Sequence, residues 1–87
     1  MSPSDRIAAY LHATGWEKGE LARRAGISPS TVTRILHGRK TAAGAEPYEI
    51  GDAAAARIER ATYAAWSAGF TKVPPLRAVD LVAPRAA

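Results

Sequence analysis

Apolar residues recur along this chain at the three- and four-residue spacing of helices, and glycine, proline or short polar residues punctuate the runs. Ser2-Pro3-Ser4-Asp5 reads as a helix start, with Ser2 as cap, Pro3 in the first position and Asp5 suiting the amino end. Ile7, Ala8, Tyr10 and Leu11 then mark one face of a helix to about Ala13, with Gly15 as terminator. Trp16 is expected to fold back on the core. A second helix is predicted over Lys18 to Ala25, weakly started at Glu17 and buried along Leu21, Ala22 and Ala25. Gly26 turns the chain and Ile27 plugs the corner. A third helix opens with Ser28 as cap and Pro29 in first position, buries Val32, Ile35 and Leu36, and ends at Gly38. On its opposite side Ser30, Thr33, Arg34 and His37 line one exposed face.

The stretch TAAGAEPYEI reads as a loop. Asp52 is expected to cap an alanine-rich fourth helix that Gly69 ends. Its predicted inward stripe is Ala54, Ala55, Ile58, Ala61, Thr62, Ala65 and Trp66, mostly small side chains that admit close packing. Pro74-Pro75 breaks helical structure, yet Phe70, Val73, Leu76, Val79, Leu81 and Val82 are too apolar for a free tail. A short fifth helix near 75–81, or an extended arm, is expected to pack on the domain or on a second subunit. Fraying is expected beyond Ala83. The fold class is therefore all-α, a four- to five-helix domain over 1–69 with a C-terminal segment over 70–87.

Charge sharpens this picture. The 87 residues carry 12 Lys and Arg against 8 Asp and Glu, net +4. Between Lys18 and Lys40 six basic residues (Lys18, Arg23, Arg24, Arg34, Arg39, Lys40) face Glu20 alone, a local +5. A basic patch confined to one helix pair points to a polyanionic partner. Cysteine is absent, which excludes disulfides and thiolate metal sites and fits a reducing cytosol. No secretory leader is legible, and no apolar run nears the ~18 residues that span a bilayer. The expectation is a cytoplasmic, nucleoid-associated protein without membrane contact. His12 stands without a ligand partner at metal spacing and reads as structural. No nucleophile motif, metal cluster or phosphate-cradling glycine loop is visible, so neither enzyme activity, cofactor nor metal is expected.

Counting from Lys18, small and apolar residues fall at the fourth, fifth, ninth, tenth, fifteenth and eighteenth places: Leu21, Ala22, Gly26, Ile27, Val32 and Ile35. Ala22 is small where two helices cross, Gly26 turns, and the other four fill the wedge between them. Together with the close Leu36-His37-Gly38-Arg39-Lys40, these residues resemble the helix-turn-helix of the phage-repressor-like family (lambda and Cro repressors and their bacterial relatives). The resemblance covers about Arg6 to Trp66. It implies a lambda-repressor-like domain that binds the major groove of double-stranded DNA, commonly as a homodimer on a palindromic site. Two departures stand out. Glu17 and Lys18 replace the usual hydroxyl cap and glutamine, and Pro29 stands where a long amide often reads adenine.

Pro29 cannot hydrogen-bond a base but can touch a thymine methyl. Base readout is thus expected from Ser30, Thr31, Thr33 and Arg34, with Arg34 donating two hydrogen bonds to guanine, or contacting phosphate alone. Lys18, Ser28, His37, Arg39 and Lys40 are placed for the DNA backbone, although His37 also reads as an ordinary helix-end histidine or a pH sensor. One recognition helix reads too few base pairs to single out a site, so two-fold pairing is expected through Phe70, Val73, Leu76, Val79, Leu81 and Val82. The expected function is a transcriptional regulator, most simply a repressor that occludes a promoter. An antitoxin whose C-terminal segment grips a toxin, and a protein-interaction module without DNA contacts, are the alternatives.

Overall fold

In a computed structural model of the chain, residues 2–41, 44–46 and 48–82 are described. The elements run α1 Pro3–Thr14, α2 Lys18–Ala25, α3 Pro29–His37, β1 Arg39–Thr41, β2 Gly44–Glu46, α4 Asp52–Ser67 and α5 Ala78–Leu81. The architecture is mostly helical. The expected fraying beyond Ala83 lies outside the described residues.

α1 begins as the sequence predicts. The Ser2 hydroxyl accepts from the Asp5 amide while the Asp5 carboxylate accepts from the Ser2 amide, a reciprocal capping box. These bonds, first that with the Ser2 side chain, hold the Asp5 carboxyl below its ordinary 3.8. A depressed carboxyl stabilises above its unfolded value, so this cap weakens as pH falls through the acid range. Gly15 closes α1 in the left-handed conformation.

α1, α2, α3 and α4 converge on one core in which Ile7, Leu21, Val32, Ala55, Ile58 and Leu81 are fully buried. Two polar ties fix the helices laterally. Ser4 Oγ donates to the Leu36 carbonyl at 3.2 Å, and Arg57 Nη1 donates to the Gly26 carbonyl at 3.0 Å. The buried Tyr10 meets Trp16 edge-on at 5.3 Å, so Trp16 does fold back on the core. No described group reaches the buried Tyr10 hydroxyl. Burial raises its ionisation above the ordinary 10.0, and the Arg24 charge opposes that shift. An unpartnered buried hydroxyl contributes no hydrogen bond and keeps its desolvation cost. Tyr10→Phe should therefore leave stability unchanged or raise it by about 1 kcal/mol, read by urea denaturation. A loss of that size would show that the hydroxyl has a partner.

Four sequence expectations need correction. The predicted loop after α3 contains a short antiparallel hairpin, with Arg39 paired to Glu46 and Thr41 to Gly44, within a fold that is otherwise helical and consistent with the all-α expectation. The N-cap of α4 is Gly51; Asp52 is instead its first helical residue, where its charge suits the helix dipole. Trp66 is 44 % exposed and leaves the inward stripe, whose buried members are Ala55, Ile58, Thr62 and Ala65. The fifth helix is a single turn, shorter than the expected 75–81: it starts only at Ala78, with Arg77 extended as its N-cap.

The C-terminal segment packs on its own domain. The buried Thr62 hydroxyl donates to the Ile58 carbonyl at 2.9 Å and accepts from the Leu76 amide at 3.0 Å. One turn earlier, the Glu59 carboxylate accepts from the Ala78 amide at 3.1 Å and pairs with Arg77 at 3.4 Å. Val82 forms a parallel bridge to Ile50 just before α4. Leu81 thereby reaches 0 % exposure, and Leu76 and Val82 lean on the core, while Phe70 and Val79 are 74 % and 72 % exposed. Of the six residues expected at a subunit interface, Leu81 is thus unavailable, because this chain's own core covers it.

Candidate nucleic-acid interface

The site grows from the packing of α2 on α3. Leu21, Ala22, Val32 and Ile35 are buried, and Ile27 packs half-buried in the corner. Ala22 is 1 % exposed, which leaves no room for a larger side chain at the crossing. Only three residues, Gly26 to Ser28, join the helices. Gly26 takes φ 70° and ψ 32°, a left-handed conformation that other residues adopt at a cost. The Ile27 amide then donates to the Ala22 carbonyl at 3.0 Å, which locks the turn. Arg57, not singled out from sequence, adds the bond to Gly26 from α4. The only sequence signal for it was a lone arginine early in an alanine run.

Ser28 caps α3 by accepting from the Thr31 amide at 3.1 Å, and the two hydroxyls meet at 2.9 Å. Both hydroxyls are thus engaged at the cap, and Thr31 is half-buried. Free readout from Thr31 and a free phosphate contact from Ser28 would have to compete with that pair. Pro29, Ser30, Thr33, Arg34 and His37 are exposed, so the face predicted from helical spacing is present and open. Thr33 donates its hydroxyl to the Pro29 carbonyl at 3.2 Å and keeps its acceptor capacity outward. Among the described residues no carboxylate pairs with Arg34.

The basic charge divides into two groups. Glu20 binds both Arg23 and Arg24, the latter at 2.9 Å. Arg24 also lies over the Trp16 ring at 4.7 Å and the Phe70 ring at 5.7 Å, so its charge serves packing around α1 and α4. Lys18 and Arg34 have no such carboxylate partner among the described residues. Lys18 at the start of α2 reaches the far end of α3, where its Nζ lies 3.2 Å from His37 Nε2. An ammonium group only donates, so a hydrogen bond here requires Nε2 as the acceptor. Both residues were expected at the DNA backbone; their contact was not foreseen. The expected phosphate contacts of the Arg39 and Lys40 side chains lie outside the described part of the structure, although both residues belong to β1.

Among the described residues no group of three His, Asp or Glu could hold a metal ion, and no helix is long and apolar enough to cross a membrane. Compared with protein-family models, curated proteins and solved structures, the chain matches none.

Proposed function

We propose that the chain is a sequence-specific DNA-binding regulator of the lambda-repressor-like helix-turn-helix type, acting as a repressor on a palindromic operator. One observation carries this reading. α3 presents Ser30, Thr33, Arg34 and His37 together on an exposed face, on a helix whose other side is clamped by Ala22, Val32 and Ile35. A rigid helix edged with short hydroxyls and an arginine that no described carboxylate pairs suits the major groove, where hydroxyls accept or donate to any base and arginine favours guanine. Occlusion of a promoter by the bound domain is the simplest way such a domain would act. A cytoplasmic, nucleoid-associated setting and the lack of enzymatic activity follow from the same reading.

Pairing of two copies remains part of the proposal, because one such helix reads only a few base pairs. With Leu81 buried, the surface for pairing narrows to Phe70 and Val79 with the outward Tyr63 and Trp66 of α4. That same exposed aromatic group favours, as a second reading, an antitoxin that engages a protein partner there. A gel shift of the pure protein on its own upstream region, at two salt concentrations, tests the main reading. A sequence-selective shift that weakens with salt is expected. No shift at either concentration would overturn it and favour the interaction module.

A further inference from the structure

We propose that Lys18 and His37 form one proton-linked clamp for a single DNA phosphate, so that duplex binding takes up a proton and tightens as pH falls. The inference rests on the DNA-binding reading and adds a chemical condition to it. Lys18 and His37 stand 19 residues apart in sequence, at opposite ends of the α2–α3 pair, yet their nitrogens meet at 3.2 Å on an exposed edge. That edge adjoins the open face of α3, because His37 belongs to both.

Where the His37 ring is neutral, its Nε2 can accept from the Lys18 ammonium 3.2 Å away. Protonating the ring removes that acceptor and sets two cations side by side, which is unfavourable without a counter-charge. A phosphate supplies it: two of its oxygens accept from Nζ–H and Nε2–H at once, and the repulsion becomes a shared attraction. The bound state therefore favours imidazolium more than the free state does, and linkage makes affinity rise as pH falls through the imidazole range. Among the described residues no carboxylate pairs with Lys18 or His37. On α2, Glu20 is committed to Arg23 and Arg24, and Glu17 precedes Lys18 without a cap bond of its own. On α1, Asp5 is held in the capping box with Ser2, while Arg6 and His12 add positive or titratable groups. Arg34 lies on α3 itself, and Arg39 and Lys40 follow in β1.

The test is binding to a short random-sequence duplex, by fluorescence anisotropy at low salt, between about pH 8 and about pH 5.5. Phosphate contacts are independent of sequence, so no operator is needed. The wild-type protein and His12→Gln should bind up to about tenfold more tightly at the lower pH, the effect of a one-unit shift. His37→Gln keeps an acceptor for Lys18 but cannot gain the proton, so whatever its overall affinity, that affinity should stay flat across the same pH range. At low pH the losses from Lys18→Gln and His37→Gln should fall short of additive in the double variant, because both act on one phosphate. Circular dichroism confirms that each variant stays helical. An unchanged pH dependence in His37→Gln, or additive losses, overturns the clamp and leaves the DNA-binding reading standing. Absence of duplex binding by wild type at every pH overturns both.

Discussion

Leu81→Ala should lower the stability of the domain by about 2–5 kcal/mol, the range for emptying a fully buried leucine site. Leu81 is 0 % exposed and joins the same core as Ile7, Leu21 and Ile58, although it arrives from a single-turn helix at the end of the described chain. The site has little means to collapse around a smaller side chain. α5 is positioned by three separate ties: Thr62 to Leu76, Glu59 to Ala78, and Ile50 to Val82. In a domain of this size each kcal/mol moves the melting temperature by about 4–8 °C, so a drop of about 10 °C or more should appear by calorimetry. Removal of everything after Gly69 should be worse, because it also strips Leu76 and Val82 from the core and leaves the Thr62 hydroxyl with one bond fewer. Domains this small have total stabilities near the low end of about 5–15 kcal/mol. The shortened chain should therefore fail to unfold cooperatively. A Leu81→Ala protein that melts within a few degrees of wild type would show that the segment is an accessory arm and not part of the core.

How far the sequence foretold these structures depended on whether the signal was local. The α2–α3 pair was legible because each of its parts is set within a few residues: a glycine at the turn, Ser28-Pro29 at the next start, and apolar residues at helical spacing. The hairpin after α3 was not. Its strands, RKT and GAE, are three residues long and contain one β-branched residue, so no alternation announces them. The apolar C-terminal segment was recognised as packed, but composition alone does not sort inward from outward. Once α5 docks on α4, its one turn sends Leu81 inward and Val79 outward. Trp66 failed for a related reason: it lies at the edge of a stripe whose width is set by what covers α4, and it stays largely outside that cover.

The candidate site divides the same way. Helical period alone placed Ser30, Thr33, Arg34 and His37 on one side, and the fold leaves them exposed. Net charge was a blunter guide, since it counted Arg23 and Arg24 with the free cations. Their shared Glu20, at the three- and four-residue helical spacings, was itself readable from sequence and marks them as paired. The Arg24 stack on Trp16 and Phe70 and the Lys18–His37 contact required three-dimensional placement, because 19 residues separate the latter pair and nothing local predicts it.

Arg34→Ala should then act differently from any change among those paired arginines. On the proposed reading Arg34 spans two hydrogen bonds to a guanine, and its loss should cost about 1–3 kcal/mol of discrimination at one base pair. Affinity for a selected operator should fall roughly tenfold or more, while affinity for random duplex falls much less. Arg34→Lys is the informative companion: lysine keeps the charge and any phosphate contact but replaces the planar two-pronged donor with a single rotating group. If Arg34 reads guanine, Arg34→Lys should retain random-duplex binding and lose part of the preference at that base pair. Selection from a randomised duplex pool followed by binding titrations measures both quantities. Because Arg34 is exposed and pairs with no described carboxylate, either variant should melt close to wild type, so lost binding cannot be laid to unfolding. Equal losses on selected and random duplexes in Arg34→Ala, restored by lysine, would move Arg34 from base reader to phosphate anchor. Sequence preference would then have to come from Ser30, Thr33 and the methyl contact of Pro29.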